Sequence, residues 1–150
     1  MKLEEEIKQS TPFRDEYTKL AVNILYTHGW LINTYSNFLK KHSITTPQYN
    51  ILRILRGQYP DPASISLLKE RMLDKMSDAS RLVDRLIVKG LVERKICPND
   101  RRKAEVLITK KGLSLLKELD VIDNNLKTTL GNLTEEEAKK LNTLLDKLRG

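Results

Sequence analysis

Cationic side chains crowd one stretch of this chain. Residues 64–103 hold eleven lysines and arginines against six aspartates and glutamates, while all 150 residues together carry a formal charge of +7. A run of charge is usually a solvated face. An excess concentrated on one structural unit reads better as a footprint for nucleic-acid phosphates. Other chemistries lack their residues. The glycines stand alone at 29, 57, 90, 112, 131 and 150, so neither GxGxxG nor a Walker loop is present to cradle a nucleotide. His28 and His42 belong to no HExxH, and no GxSxG occurs. One cysteine, Cys97, excludes an intrachain disulfide and a CxxC pair. No catalytic residues, metal or cofactor are expected.

The elements that must position these cations follow from caps and periodicity. Thr11-Pro12 reads as a cap with proline at the first helical position, opening a helix over 13–41 of about 40 Å. Its apolar stripe runs through Tyr17, Leu20, Ile24, His28, Leu31, Tyr35 and Leu39, with Tyr26 and Trp30 one turn apart on its back. Thr46-Pro47 repeats the signal and starts a second helix ending near Gly57. Ser64 caps a short helix over 65–72, and another runs over 76–89 to Gly90, where a left-handed cap belongs. The period then changes to that of strands over 91–96 and 104–109, joined by the basic tip 97–103. Helices over 110–130 and 135–149 close the chain, the last opened by the capping box Thr134-Glu135-Glu136-Glu137.

This order predicts a mainly α single domain, with residues 47–109 forming a helix-turn-helix followed by a β-hairpin wing. A helix about 10–12 Å wide fits the major groove of DNA, and a neighbouring hairpin reaches the backbone or an adjacent minor groove. Residues 113–148 contain eleven leucines, too many for one small chain to cover. The apolar fraction of 39% suits one core. No apolar run approaches the ~20 residues of a membrane span. The charged start Met1-Lys2-Leu3-Glu4-Glu5-Glu6 lacks a signal peptide's apolar stretch, so an intracellular protein without membrane contact is expected.

Several segments, in order, resemble the signature of MarR-type transcriptional regulators. They are Thr45-Thr46-Pro47-Gln48-Tyr49, Ser77-Asp78-Ala79-Ser80-Arg81-Leu82-Val83-Asp84-Arg85-Leu86, Lys89-Gly90-Leu91-Val92-Glu93-Arg94, Asp100-Arg101-Arg102 and Ile108-Thr109-Lys110-Lys111-Gly112. The resemblance spans essentially the whole chain. It implies a homodimeric winged helix-turn-helix repressor or activator, with repression favoured, that binds double-stranded DNA and is released by a small aromatic or lipophilic effector or by oxidation. The dimerisation helices would be 11–41 and 110–149, and the setting cytoplasmic, on a bacterial or archaeal nucleoid. The rival is a winged-helix protein without effector, serving as a constitutive DNA-binding or protein-docking module.

The residues then take roles. Arg81 suits base contact, because a guanidinium meets guanine O6 and N7 with two hydrogen bonds; a phosphate contact is the alternative. Ser77 and Ser80 are short donors for phosphates or base edges, and Lys75 is a phosphate contact. Asp78 either accepts from cytosine N4 or favours the positive end of the helix dipole. Arg85 pairs on the surface or, by resemblance, reaches phosphate. At the wing, among Asp100, Arg101, Arg102 and Lys103, one arginine enters a narrow minor groove while Asp100 steadies a guanidinium; the resemblance favours Arg102 as the inserted residue. Cys97 reads as incidental, since the family's oxidation sensors carry their cysteine in the first helix. His28 is a core or interface histidine, or else a ligand contact. The resemblance places an effector pocket between the terminal helices and the winged part, with His28, Trp30, Tyr35 and Tyr49 as lining.

Overall fold

The computed structural model describes residues 1–150, apart from the side chain of Arg101. Its elements run α1 (Leu3–Glu6), α2 (Glu16–Lys40), α3 (Thr46–Gln58), β1 (Ala63–Ser64), α4 (Ile65–Arg71), α5 (Ala79–Val88), β2 (Val92–Cys97), β3 (Asp100–Ile108), α6 (Lys110–Leu119), α7 (Val121–Thr129) and α8 (Glu135–Arg149). The sheet is antiparallel in the order β1-β3-β2. The fold is a mainly helical winged helix, as expected.

Side-chain caps start most helices close to the predicted places. Thr45 and Gln48 form a reciprocal capping box at α3, with Pro47 in its first turn. Ser64 accepts from the Leu67 N–H at 3.1 Å, and Thr109 from the Gly112 N–H at 3.1 Å. Thr134 and Glu137 close the box on α8. At the end of α5, Gly90 has φ of +70°, its N–H bonds to the Ile87 carbonyl, and the Leu91 N–H bonds to the Leu86 carbonyl. That is a Schellman closure, and it needs the left-handed residue that glycine supplies cheaply.

Four boundaries depart from expectation, each for a local reason. α2 begins at Glu16, not near Thr11, because the Asp15 carboxylate takes the Thr18 N–H at 2.7 Å. The segment before it folds back, and α1 lies against α2 through the Glu4–Lys19 ion pair and the buried Leu3. The recognition helix α5 starts at Ala79, not 76, because Asp74 draws Met76 and Ser77 into a turn and Asp78 is the cap. The helix expected over 110–130 breaks at Asp120, where an i+3 bond from the Asp123 N–H to the Asp120 carbonyl tightens the chain. The wing turn is also shorter than 97–103: Cys97 pairs with Asp100, leaving Pro98-Asn99 as the tip.

The core lies in the middle of the chain. Leu52 and Leu55 of α3, Leu68 of α4, Val83 and Leu86 of α5, Val106 and Ile108 of β3, and Leu116 and Leu119 of α6 are all buried in one cluster. The outer helices contribute little to it. α2 buries only Leu39, near its C-terminal end, and α8 buries nothing.

Candidate nucleic-acid interface

The turn from α4 to α5 is organised by two acids. Asp74 accepts from the Met76 N–H at 3.0 Å and from the Ser77 hydroxyl at 2.7 Å. Asp78 accepts from the Arg81 N–H at 3.2 Å. Of the two readings left open for Asp78, this geometry gives it work at the helix N-terminus, satisfying an otherwise orphaned donor. Its other oxygen lies 3.6 Å from Arg81 Nε, but Arg81 keeps 80% of its side chain exposed and extends from the first turn of α5. Ser80 and Arg85 are exposed on the same helix. Ser77 spends its hydroxyl proton on Asp74, and the Lys75 ammonium turns back to the Glu70 carbonyl. Asp84 pairs with Arg94 of β2, which fastens the recognition helix to the wing and cancels the acid on that face.

The wing presents its cations through an irregularity. Ile96 pairs with Ala104, yet the next residue, Cys97, pairs with Asp100. Residues 101–103, all basic, therefore have nothing opposite them and bulge from the ladder. Arg102 and Lys103 are exposed; the side chain of Arg101 lies outside the described residues. Asp100 accepts from the Arg102 backbone N–H at 2.9 Å. The carboxylate thus shapes the tip through the main chain, and the Arg102 side chain is left to solvent.

A second set of charges ties this lobe to the outer helices. Arg53 and Arg56, three apart on α3, reach Asp123 at 3.2 Å and Asp120 at 2.8 Å, also three apart, across the α6–α7 break. Sequence reading missed them, although the matched spacing was a usable signal.

The MarR family model matches residues 44–104, the stretch from the start of α3 to the wing. The HTH-type transcriptional repressor IacR of Pseudomonas putida is 27% identical over 139 residues, covering 90% of this chain and 82% of its own length. A MarR-like transcription regulator from Bacillus cereus superposes with a TM-score of 0.79 at 28% identity, over 89% of this chain and 96% of its own. A cysteine-to-serine mutant of MarR from E. coli, complexed with operator DNA, superposes with a TM-score of 0.79 at 26% identity, over 92% and 99%. Residues 44–104 match the MarR family, and along most of its length the chain is similar to MarR-type winged helix transcription regulators.

In this chain the four residues expected around an effector fall into separate places. Tyr35 of α2 and Tyr49 of α3 meet with ring centroids 6.5 Å apart, and Arg53 lies 5.6 Å over the Tyr49 ring. Burial raises both tyrosine pKa values, so both hydroxyls stay protonated at neutral pH. Trp30 instead lines a cleft of about 470 Å³ between α1 and the back of α2, with Leu3, Lys19 and Tyr26. His28 is exposed on α2, not in the core. A further cavity of about 430 Å³ lies between His42, Lys89, Lys111 and Glu118.

The α4–α5 turn carries a pH prediction. The Ser77 hydroxyl, then the Met76 N–H, hold the Asp74 carboxyl below its ordinary value of 3.8. A depressed folded pKa stabilises above the unfolded value, and the contribution is lost as pH falls through the folded one. Carboxyl-carbon NMR should therefore find an Asp74 midpoint below the ordinary carboxylate range, and Ser77→Ala should move it up. Neutral-pH stability should show no titration from this group.

Proposed function

We propose that the chain acts as a homodimer that binds a pseudo-palindromic DNA operator as a repressor in the cytoplasm. The observation that carries this reading is the pairing of an exposed Arg81–Arg85 face on α5 with a bulged basic wing on the same lobe. The N-terminal half of α5 enters the major groove, with Arg81 reading a base and Ser80 and Arg85 on base edges or phosphates. Arg102, with Lys103 and Arg101, follows the minor groove or backbone beside it. Lys75 and Ser77 are free for phosphate only if they leave Glu70 and Asp74. Support for repression comes from the likeness to IacR, and support for operator binding from the likeness to MarR on its operator. The uncovered leucines of α8 and the bare length of α2 support pairing through the outer helices. A two-fold dimer puts the half-sites about one helical turn apart. The Tyr35–Tyr49 contact, next to the Arg53–Asp123 bridge, is the proposed seat for a small aromatic or lipophilic effector that frees the DNA.

Gel shifts on the chain's own upstream DNA across a salt series test this. Specific binding should weaken steeply with salt. Arg81→Ala should cost about 1–3 kcal/mol on the best site and relax preference at one position per half-site. Arg102→Ala should weaken binding on all sequences and flatten the salt slope by about one unit. An unchanged ranking of sites in Arg81→Ala would remove Arg81 as the base reader.

A further inference from the structure

Beside Arg81 stands a pair of apolar side chains that a purely phosphate-binding surface has no use for. Leu73 is 87% exposed and Met76 93% exposed, both in the turn between α4 and α5. They are presented by an ordered main chain. The Leu73 N–H donates to Asn50 Oδ1 of α3 at 2.9 Å, and the Met76 N–H donates to Asp74 Oδ1 at 3.0 Å. The turn is pinned at both ends by buried residues, Met72 at 1% exposure and Ala79 at 4%. The backbone thus fixes two hydrophobic groups in water, where they gain nothing from the rest of the chain. Lys75 lies between them and Arg81 follows; Asp74 and Asp78 balance these two, and the attraction for a polyanion comes from them together with exposed Arg85 and the basic wing of the same lobe.

We propose that Leu73 and Met76 form a thymine-reading edge that packs on 5-methyl groups in the major groove. The occupant follows from the two properties together. The cations select a nucleic acid, and the one apolar group that base-pair edges present in the major groove is the thymine methyl. The inference rests on α5 entering that groove and adds to it a source of sequence preference that hydrogen bonding by Arg81 does not supply. Burying one methyl-sized group is worth about 0.8 kcal/mol, about a fourfold change in affinity.

The test begins with sites selected from a random duplex pool by the intact chain. Each constant thymine is then replaced by deoxyuridine, which removes the methyl and keeps the pairing. The wild-type chain should lose about fourfold in affinity per contacted methyl. In Met76→Ser or Leu73→Ser the thymine and deoxyuridine duplexes should bind equally at the position each residue reads. Circular dichroism and thermal melting confirm that these exposed substitutions leave the fold intact. Indifference of the wild type to deoxyuridine, half-sites without a constant thymine, or an undiminished penalty in both variants overturns the methyl edge and leaves DNA binding standing. A pool that yields no preferred sequence overturns both.

Discussion

Gly112→Ala should lower the unfolding free energy by about 3 kcal/mol, at the upper end of what overpacking a core usually costs. Gly112 is buried in the first turn of α6. A Cβ there would stand 2.6 Å from Ile108 Cγ1 and closer still to the Leu91 carbonyl oxygen. The second contact is backbone, so no rotamer change relieves it. Moving α6 outward would also break the link that orders this corner, where the Thr109 hydroxyl donates to the Gly90 carbonyl at 2.7 Å and accepts from the Gly112 N–H. Urea unfolding measures the loss. Gly57 provides the contrast within the same molecule. It lies in α3 with nothing within 4 Å of a built Cβ, so Gly57→Ala should stabilise by about 0.5–1 kcal/mol. A Gly112→Ala chain as stable as the wild type would mean that α6 and the wing base are not in such close contact.

Leu144→Glu should turn a dimer into a monomer at micromolar concentration. α8 is a 15-residue helix with no buried residue, and Leu141, Leu144 and Leu148 are 44%, 54% and 56% exposed. A helix of that length is marginal in water without an apolar partner, and its spacing of leucines makes one face that this chain leaves bare. A charge in the middle of that face opposes any cover. Sedimentation velocity reads the oligomeric state, and gel shift reads the consequence. Linking two half-site contacts gains about 10²–10⁴ in apparent affinity, so uncoupling them should cost at least about a hundredfold. A wild-type chain that sediments as a monomer, or a variant that still pairs, would refute the proposed assembly.

What could be read from the sequence was mostly what neighbours in sequence decide. Ser64, Thr109 and Thr134 cap helices because a hydroxyl three residues before an N–H reaches it whatever the rest of the chain does, and at α3 the cap is Thr45, one residue before the Thr46 expected. The basic hairpin and recognition helix were legible because their charge and change of period are local. Distant partners hid part of the rest. β1 is two residues long, and its partners Glu105 and Val106 lie some forty positions away. The break at Asp120 coincides with a bond to Arg56, 64 residues earlier. Within the candidate interface, residue types pointed to the cations but not to the work of the acids. Asp74, Asp78 and Asp100 all bond main-chain donors, and charge counting sees only their sign. Met76 looked like the first residue of a helix because nothing local announces that Asp74 holds its N–H.

The Asp84–Arg94 pair, the Schellman closure at Gly90 and the Thr109 hydroxyl together weld the recognition helix to the hairpin. In the proposed complex, the interval between groove and wing contacts of one protomer would therefore be a ruler of fixed length. Any adaptation to a stretched or compressed binding site has to be made elsewhere, by one whole lobe pivoting on its arms.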